Sequence, residues 1–379
     1  MNFYSEEHEL VRNTARKFAE KHLKPGVIER DENAEFPSEQ VTMMGELGFM
    51  GVMVPESWNG AGMDTISYTL IIEELSRVDA SAGVIVSVNN SLVCQIFVNY
   101  GNDWQKETYL TKLASGEQLG AFSLSEPQSG SDASNMHTVA EKCGQYYILN
   151  GTKNWVTSGI NSDVVIVKAL TDKSAGYNGI SAFIVPKELD GFSVGKKEDK
   201  LGIRGSDTCE LYFDNCHVPI ENLIDKEGQG FRIALTTLDG GRIGIAAQAL
   251  GIAQAALDKS VQYAKERKQF GKTIGSFGAL QEKIALMGTN IEASRLLIHK
   301  AAILKDAHKS YTKAAAMAKS FASQTAMDAA TDCVQIFGGY GYMQEYGVER
   351  LMRDAKITQI YEGTTEIQQM VIAREIMEN

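Results

Sequence analysis

The spacing of apolar residues divides the chain into three stretches. From Ser5 to about Gly116, apolar positions recur at helical spacing, and Ser5 followed by glutamates is typical of a capped, acidic first turn. Between about 119 and 224, short β-branched runs bounded by Gly, Asn and Asp indicate strands. Helical patterns return from Gly230 onward. The pattern predicts a mostly α protein with a central antiparallel β-domain, divided at 1–118, 119–227 and 228–379.

Individual elements follow from the same pattern. In the β-domain, 146–149 and 152–156 flank an Asn-Gly pair, which predicts a β-hairpin with a tight turn. The run 84–100 has helical spacing but many β-branched residues, so its type stays open. Long helices are predicted at 246–265, 280–305 and 312–336. The glycine-rich 338–341 then ends a helix or lets a nucleotide or another chain approach closely.

Composition narrows the class of protein. The 379 residues carry a net charge of −11 with 44% hydrophobic residues, which is ordinary for a soluble globular protein and gives no sign of nucleic-acid or membrane-surface binding. No apolar run approaches the length of a membrane span, and the first residues lack the features of a secretory signal. The cysteines are scattered and the histidines fall singly. We therefore expect reduced thiols, a cytoplasmic protein and no metal site.

The segment 360–368, IYEGTTEIQ, is the strongest candidate for chemistry. It places the carboxylate of Glu362 between Tyr361 and Gly363, where an aromatic neighbour and an accessible backbone suit general-base chemistry on a bound substrate. The same letters are typical of a helix start at Thr364 with a solvated glutamate before it. On local grounds both interpretations stay open.

Each of the other motifs also has both a functional and a purely structural interpretation. The hydroxyl-rich stretch 122–132 suits a flavin edge or a pyrophosphate, or is an ordinary turn. The indole of Trp155 would stack on a planar cofactor or pack in the core. Arg267 closes a helix, where a guanidinium suits either the helix dipole or a pyrophosphate. Asp239 and Arg242, at the start of the alanine-rich helix, would otherwise form an exposed ion pair. No dinucleotide-fold or P-loop glycine motif occurs.

Taken together, seven ordered blocks make the chain similar to a known family. They are FSLSEPQSGSD, KNWVTSG, KKEDKLGIRGSDT, TLDGGRIGIAAQALGIA, ERKQFGK, QIFGGYGY and RDAKITQIYEGTTEIQ. Over essentially its whole length the chain resembles the acyl-CoA dehydrogenases, with the closest likeness to short-chain (butyryl-CoA) dehydrogenases. The resemblance implies an N-terminal helical domain, a middle β-domain and a C-terminal four-helix bundle.

The resemblance also implies a reaction. An FAD enzyme would oxidise an acyl-CoA thioester to the trans-2-enoyl-CoA, with Glu362 removing the α-proton while the β-hydrogen leaves as hydride to flavin N5. The N–H of Glu362, with a ribose hydroxyl of FAD, would bind the thioester carbonyl. Burial should raise the pKa of Glu362. Electrons would pass to an electron-transferring flavoprotein, and FAD sites shared between subunits imply a homo-oligomer, commonly a tetramer.

Site residues are carried over by position. The flavin-lining positions match Phe122, Leu124, Ser125, Ser131, Trp155 and Thr157, with Thr157 near N5. Positions that meet the FAD of a neighbouring subunit match Arg267, Gln269, Phe270, Gln335 and Gly339, and those beside the base match Thr364 and Glu366. Substrate-side positions match Ser131, Asp239, Arg242, Tyr361 and Gly363.

Two glycines bear on the implied catalytic base and on the implied substrate. Where isovaleryl-type and long-chain relatives carry their base, this chain has Gly241, which leaves Glu362 without a competitor. Where glutaryl-CoA dehydrogenases carry an arginine for the distal carboxylate, the alignment places Gly83, so a dicarboxylate is not expected. A branched- or medium-chain substrate, or a catalytically idle docking relative, stays as the alternative.

Overall fold

The computed structural model of the chain describes residues 4–378, and it confirms the predicted order of helices, sheet and helices. The exact domain limits given above stay predictions.

The N-terminal region is built from short helices. Ser5 caps the first of them, as expected, by accepting a hydrogen bond from the His8 N–H. Asp64 and Asp79 cap two others in the same way. The α-helices are α1 Glu6–Phe18, α2 Val27–Glu32, α3 Ser38–Glu46, α4 Thr65–Ser76, α5 Ala80–Ser87, α6 Gln95–Tyr100, α7 Asp103–Gln105 and α8 Thr111–Ser115.

The ambiguous run 84–100 is helical. It comprises the second half of α5, a π-helical segment at Val88–Cys94 and α6. Within residues 4–378, Ala80–Tyr100 is the one helical stretch long and apolar enough to cross a membrane, but 89% of its most apolar window is buried inside the protein. Its apolar composition therefore serves the core, because this segment packs against the sheet and α9 (Gly230–Glu266).

The middle of the chain forms a mostly antiparallel sheet in the order β6-β7-β3-β2-β4-β5-β8. One edge of β4 also pairs in parallel with β1, and β2 joins β4 through a parallel bridge, so the sheet is not purely antiparallel. The strands are β1 Gly120–Ser123, β2 Val139–Cys143, β3 Tyr146–Thr157, β4 Val164–Leu170, β5 Ile180–Pro186, β6 Phe192–Lys197, β7 Thr208–Pro219 and β8 Leu223–Ile224.

The predicted hairpin around Asn150-Gly151 is wrong. β3 runs straight through both residues and pairs with β7 on either side of a bulge at Leu149/Gly151. Glycine is required there for a different reason: a Cβ at position 151 would lie 2.5 Å from Thr138 Oγ1. The glycine marks a close approach between neighbouring backbones rather than a turn.

The C-terminal region is a bundle of long helices whose alanine-rich faces pack closely. The sequence placed Asp239 at the start of a helix, but the helix begins at Gly230 and Asp239 lies inside it, because burial against α4 and α5 outweighs the low helix propensity of the glycines. The elements are α9 Gly230–Glu266, the ribbon β9 Lys268–Gln269 and β10 Lys272–Thr273, α10 Gly278–Asp306, α11 Thr312–Phe337, α12 Val348–Thr358 and α13 Thr365–Met377.

A buried carboxylate joins the middle region to the bundle. Asp354, on α12, accepts a hydrogen bond from the Ile203 N–H at 2.6 Å and pairs with Arg350 at 3.0 Å. All three residues are buried. Loss of the carboxylate leaves the Ile203 N–H without an acceptor and leaves the buried Arg350 without its counter-charge, with only the Val78 carbonyl to accept from it.

We predict that Asp354→Ala lowers the free energy of unfolding by about 3 kcal/mol, since a buried charge loses its partner. Thermal and urea unfolding of the holoprotein measure the change. Asp199→Ala is the matched control, because this carboxylate pairs with Arg204 but its side chain is 85% exposed. An equal loss in both variants would contradict the account.

Candidate active site

The loop between α12 and α13 presents Glu362 in a strained backbone conformation. Glu362 has φ +56° and Gly363 has φ +88°, so two consecutive residues lie in the left-handed region. Thr364 caps α13 by accepting a hydrogen bond from the Ile367 N–H, which confirms the predicted helix start. The helix start is therefore as predicted, but the glutamate before it is not solvated, since its Oε2 is buried, and its role as a base stays a prediction.

The carboxylate of Glu362 is held against a bare helix backbone. Its Oε2 is buried with no hydrogen-bond partner among the described residues 4–378. A Cβ at position 241 of α9 would lie 2.3 Å from that oxygen and 2.7 Å from Leu92 Cδ2, so only glycine fits. Burial raises the pKa of Glu362 to about 7, against the opposing effects of Arg242 and Lys319.

The acid–base pair on α9 is not an exposed surface pair. Arg242 is buried and its Nη1 binds Asp239 Oδ1, while Asp239 Oδ2 accepts a hydrogen bond from Thr312 Oγ1 at 2.7 Å. The Nε of Arg242 is buried without a partner in the described part of the chain. Arg242 directly follows Gly241 in α9, and its cation lowers the pKa of Glu362, so the guanidinium lies near that carboxylate.

One face of α9 continues away from the base. Gly244 follows Gly241 at one turn, and a Cβ there would lie 2.2 Å from Tyr68 Oη. Gln248 follows one turn later, fully buried; its Oε1 accepts a hydrogen bond from the Tyr361 hydroxyl and its Nε2 donates to Ala80 O. This face of α9 therefore has no side chain next to Glu362, at Gly241, and ends in the bulky, hydrogen-bonded side chain of Gln248.

A second wall is built from β1 and β3. The Asn154 N–H donates to Ser125 O at 2.9 Å, which brings the hydroxyl-rich loop next to Trp155. Beneath them, Lys153 Nζ donates to Glu126 Oε1 at 2.8 Å and to Leu124 O at 3.2 Å, all within the core. This ion pair fixes the loop to the strand.

The residues of this wall have contrasting exposures. Trp155 has φ +59° and is 61% exposed, so its indole is not a core side chain. Leu124 is buried, which fits the core interpretation as well as the cofactor one. Thr157 ends β3, whereas Ser131 lies exposed in the turn that follows Ser125.

The two walls meet on α9. Phe122 and Leu124 pack with Ala234 and Leu238 of that helix, one turn before Arg242. The structure therefore brings the flavin-lining and substrate-side positions to one region. The residues fit a flavin and a polar substrate, because they include an exposed aromatic plane, Trp155, and two buried polar atoms that lack partners within residues 4–378, Glu362 Oε2 and Arg242 Nε.

A third group of predicted residues lies elsewhere. Arg267, Gln269 and Gly339 line a groove of about 420 Å³, and the Arg267 guanidinium lies over the Tyr340 ring at 5.4 Å. Phe270, with φ +51°, is 92% exposed and is therefore no core residue. Gln335 is also exposed, near the end of α11, and Glu366 is exposed on the first turn of α13 beside the base.

This groove is far from the base within one chain. Arg242 and Arg267 are 25 positions apart along α9, or about 37 Å at 1.5 Å per residue. The predicted site residues thus separate into a base-and-flavin group and a remote groove. Among residues 4–378, no group of three or more His, Cys, Asp or Glu side chains could hold a metal ion.

Sequence reasoning missed the residues that hold the base. Lys319 Nζ donates to Gly363 O at 2.8 Å, and Gln368 Nε2 donates to Glu362 O at 3.1 Å and to Gly363 O at 3.0 Å. A signal for Lys319 exists, because it interrupts the apolar alanine stripe of α11 with a charge. Gln368 gives no such signal, since a polar residue on a short terminal helix is ordinary.

Family models match the chain from end to end. They are the N-terminal, middle and C-terminal domains of acyl-CoA dehydrogenase, at residues 5–117, 121–216 and 228–377. The chain belongs to the acyl-CoA dehydrogenase family. It is accordingly an acyl-CoA oxidoreductase and FAD is its cofactor.

Individual relatives of this acyl-CoA dehydrogenase are similar over nearly their whole length. The "Acyl-CoA dehydrogenase, short-chain specific" of Clostridium acetobutylicum is 50% identical over 98% of both chains. Solved butyryl-CoA dehydrogenase from Megasphaera elsdenii is 47% identical with a TM-score of 0.98, over 100% of both chains. A chain solved as "Electron transferring flavoprotein of Acidaminococcus fermentans: Towards a mechanism of flavin-based electron bifurcation" is 50% identical with a TM-score of 0.99, again over 100% of both chains.

We predict that Gly241→Ala lowers the rate of substrate-driven FAD reduction about 100-fold, because the new methyl group displaces the Glu362 carboxylate. Gly240→Ala is the matched control on the same helix, since a Cβ there would approach no atom closer than 3.8 Å. Stopped-flow absorbance measures both. The account fails if the two alanine variants reduce FAD at equal rates.

Proposed function

We propose that this enzyme dehydrogenates short, straight-chain acyl-CoA thioesters to trans-2-enoyl-CoA, with Glu362 as the base that removes the α-proton. The observation that carries the proposal is the placement of Glu362 Oε2, buried and unpartnered against Gly241. A carboxylate with a pKa near 7 is half ionised at neutral pH and has no internal hydrogen bond to break before it takes a proton.

The backbone of the same residue binds the substrate carbonyl. The Glu362 N–H donates no hydrogen bond to another residue within 4–378, so it is free to donate to the thioester oxygen as negative charge develops there. Arg242 favours the ionised form of the base and so limits the rise of its pKa, since a nearby cation stabilises the carboxylate. FAD, when bound, accepts the β-hydrogen as hydride.

The face of α9 supports a short acyl chain. Beyond the bare backbone at Gly241 and Gly244, the Tyr68 hydroxyl binds Ser87 at 2.9 Å, and Gln248 binds the Tyr361 hydroxyl. A chain that extended past this point would break buried hydrogen bonds without replacing them. The relatives named above carry short-chain and butyryl-CoA descriptions, which agrees with this limit.

A dicarboxylate substrate does not fit the same site. A Cβ at Gly83 would lie 2.0 Å from Ser76 Oγ, so position 83 has no room for the arginine expected of a glutaryl-CoA enzyme. The idle-relative alternative is disfavoured because the chain retains Glu362, Arg242 and Trp155. Branched- and medium-chain substrates remain the alternatives that measured rates must separate.

The remote groove supports shared FAD sites. Arg267 lies about 37 Å along α9 from Arg242, farther than one extended dinucleotide reaches. We propose that this groove and Phe270 contact the FAD of a second copy, in a dimer or a dimer of dimers.

We also propose that an electron-transferring flavoprotein approaches the flavin at the exposed Trp155. The five free thiols suit a cytoplasmic setting.

We predict that Glu362→Gln retains FAD and binds butyryl-CoA but loses about 10²- to 10⁴-fold in the rate of FAD reduction, because the amide cannot accept the proton. In the native enzyme this rate should rise with pH up to a midpoint near 7 and level off above it, since only the ionised base is active. Anaerobic bleaching of the flavin absorbance, from pH 5.5 to 9, measures both. Native-like reduction by Glu362→Gln would remove the residue from its role.

We predict that Gln248→Ala raises the ratio of kcat/KM for hexanoyl-CoA to that for butyryl-CoA about tenfold, because space opens at the end of the α9 face. The ratio is measured within each variant, so a general loss of activity cancels. Gln254→Ala, two turns further along α9 and hydrogen-bonded to Asp258, is the control. An unchanged ratio in Gln248→Ala would place the chain-length limit elsewhere.

A further inference from the structure

Lys319 is a fully buried lysine at the catalytic loop. It lies in an otherwise apolar stripe of α11, among Ala315, Ala318 and Ala322, all of which are also buried. Its Nζ donates to the Gly363 carbonyl oxygen at 2.8 Å. A lysine in such a place is destabilising unless its ammonium group has a specific partner.

The hydrogen bond supports a backbone that would otherwise relax. A non-glycine residue at φ +56° is strained, and it persists only where the surroundings hold it. Here Lys319 and Gln368 both donate to Gly363 O, and Gln368 also donates to Glu362 O. These donors fix the two peptide planes that directly follow the base, Glu362–Gly363 and Gly363–Thr364.

We propose that Lys319 is a positioning residue for Glu362: its hydrogen bond to the Gly363 carbonyl fixes the Gly363–Thr364 peptide next to the base, and its ammonium form places positive charge near the carboxylate. The inference rests on the function proposed above. It adds a residue that touches neither the reacting carbon atoms nor the flavin and that acts only through the base.

The charges around the base come from several elements. Arg242 and Lys319 both lower the pKa of Glu362, and Glu362 in turn raises the pKa of Lys319, which burial lowers to about 7. The titratable and charged groups that face this pair are Asp239 and Arg242 on α9, Tyr68 on α4, Tyr361 in the loop and Glu366 on α13. Because the lysine cation favours the carboxylate form, its removal should raise the pKa of Glu362.

Two substitutions separate positioning from charge. Lys319→Met removes both the hydrogen bond and the charge, so kcat should fall about 10- to 100-fold with a smaller change in KM. The acid limb of the pH–rate profile should also move up by about one pH unit. Lys319→Gln keeps a donor near Gly363 O but loses the charge, so it should shift the acid limb equally while retaining most of the plateau rate.

The controls address stability and the neighbouring donor. Lys283→Met breaks a half-exposed ion pair with Asp332 between α10 and α11, away from the loop, and should leave both kcat and the acid limb unchanged. Gln368→Leu removes a neutral donor to the same carbonyls, so it should lower kcat without moving the acid limb. Infrared titration of the carboxyl band that disappears in Glu362→Gln gives the pKa of the base without turnover.

An unmoved acid limb and infrared midpoint in both Lys319 variants would overturn the proposal, and so would an equal loss of kcat in Lys283→Met. If Lys319→Met does not fold, the Lys319→Gln profile and infrared midpoint still decide the charge effect. Failure of the proposed function looks different, because the native enzyme would then not reduce FAD with butyryl-CoA, or Glu362→Gln would do so at the native rate.

Discussion

The carboxylate of Glu362, the proposed base, lies against α9 at a position where that helix has no side chain. A Cβ at position 241 would lie 2.3 Å from Glu362 Oε2 and would displace the carboxylate. The same helix carries Arg242, packs through Leu238 against the flavin-lining wall and closes the acyl face at Gln248. The position of the base, its charged neighbour and the length of the acyl face therefore all depend on one helix face.

Backbone strain and buried charge both occur at positions where chemistry is proposed. Trp155, Phe270 and Glu362 all have positive φ, although none is a glycine. Such conformations persist only when neighbouring contacts hold them, and they cluster at functional positions. Around Glu362 those contacts include two side-chain donors, Lys319 and Gln368, whose burial is itself unfavourable. The strain and the buried donors that hold the Glu362 carboxylate in place therefore lower the local stability.

Much of this arrangement could be predicted from the sequence, and each prediction that failed did so for a physical reason. Long helices and the start of α13 at Thr364 follow from local periodicity and capping, so they were predicted well. The Asn150-Gly151 pair led to a wrong prediction of a hairpin turn, because Gly151 is required by the contact with Thr138 and not by a turn. Lys319 was missed because its partner is a carbonyl group 44 positions away, and no local pattern encodes a tertiary contact.

The central claim is that Glu362 removes the α-proton, and the most direct test follows that proton. The holoenzyme is incubated anaerobically with butyryl-CoA in deuterium oxide, and deuterium at C2 is measured by mass spectrometry. The account predicts exchange by the native enzyme that increases with pH through a midpoint near 7, and about 10²-fold or more slower exchange in Glu362→Gln. Exchange at the native rate in that variant would contradict it.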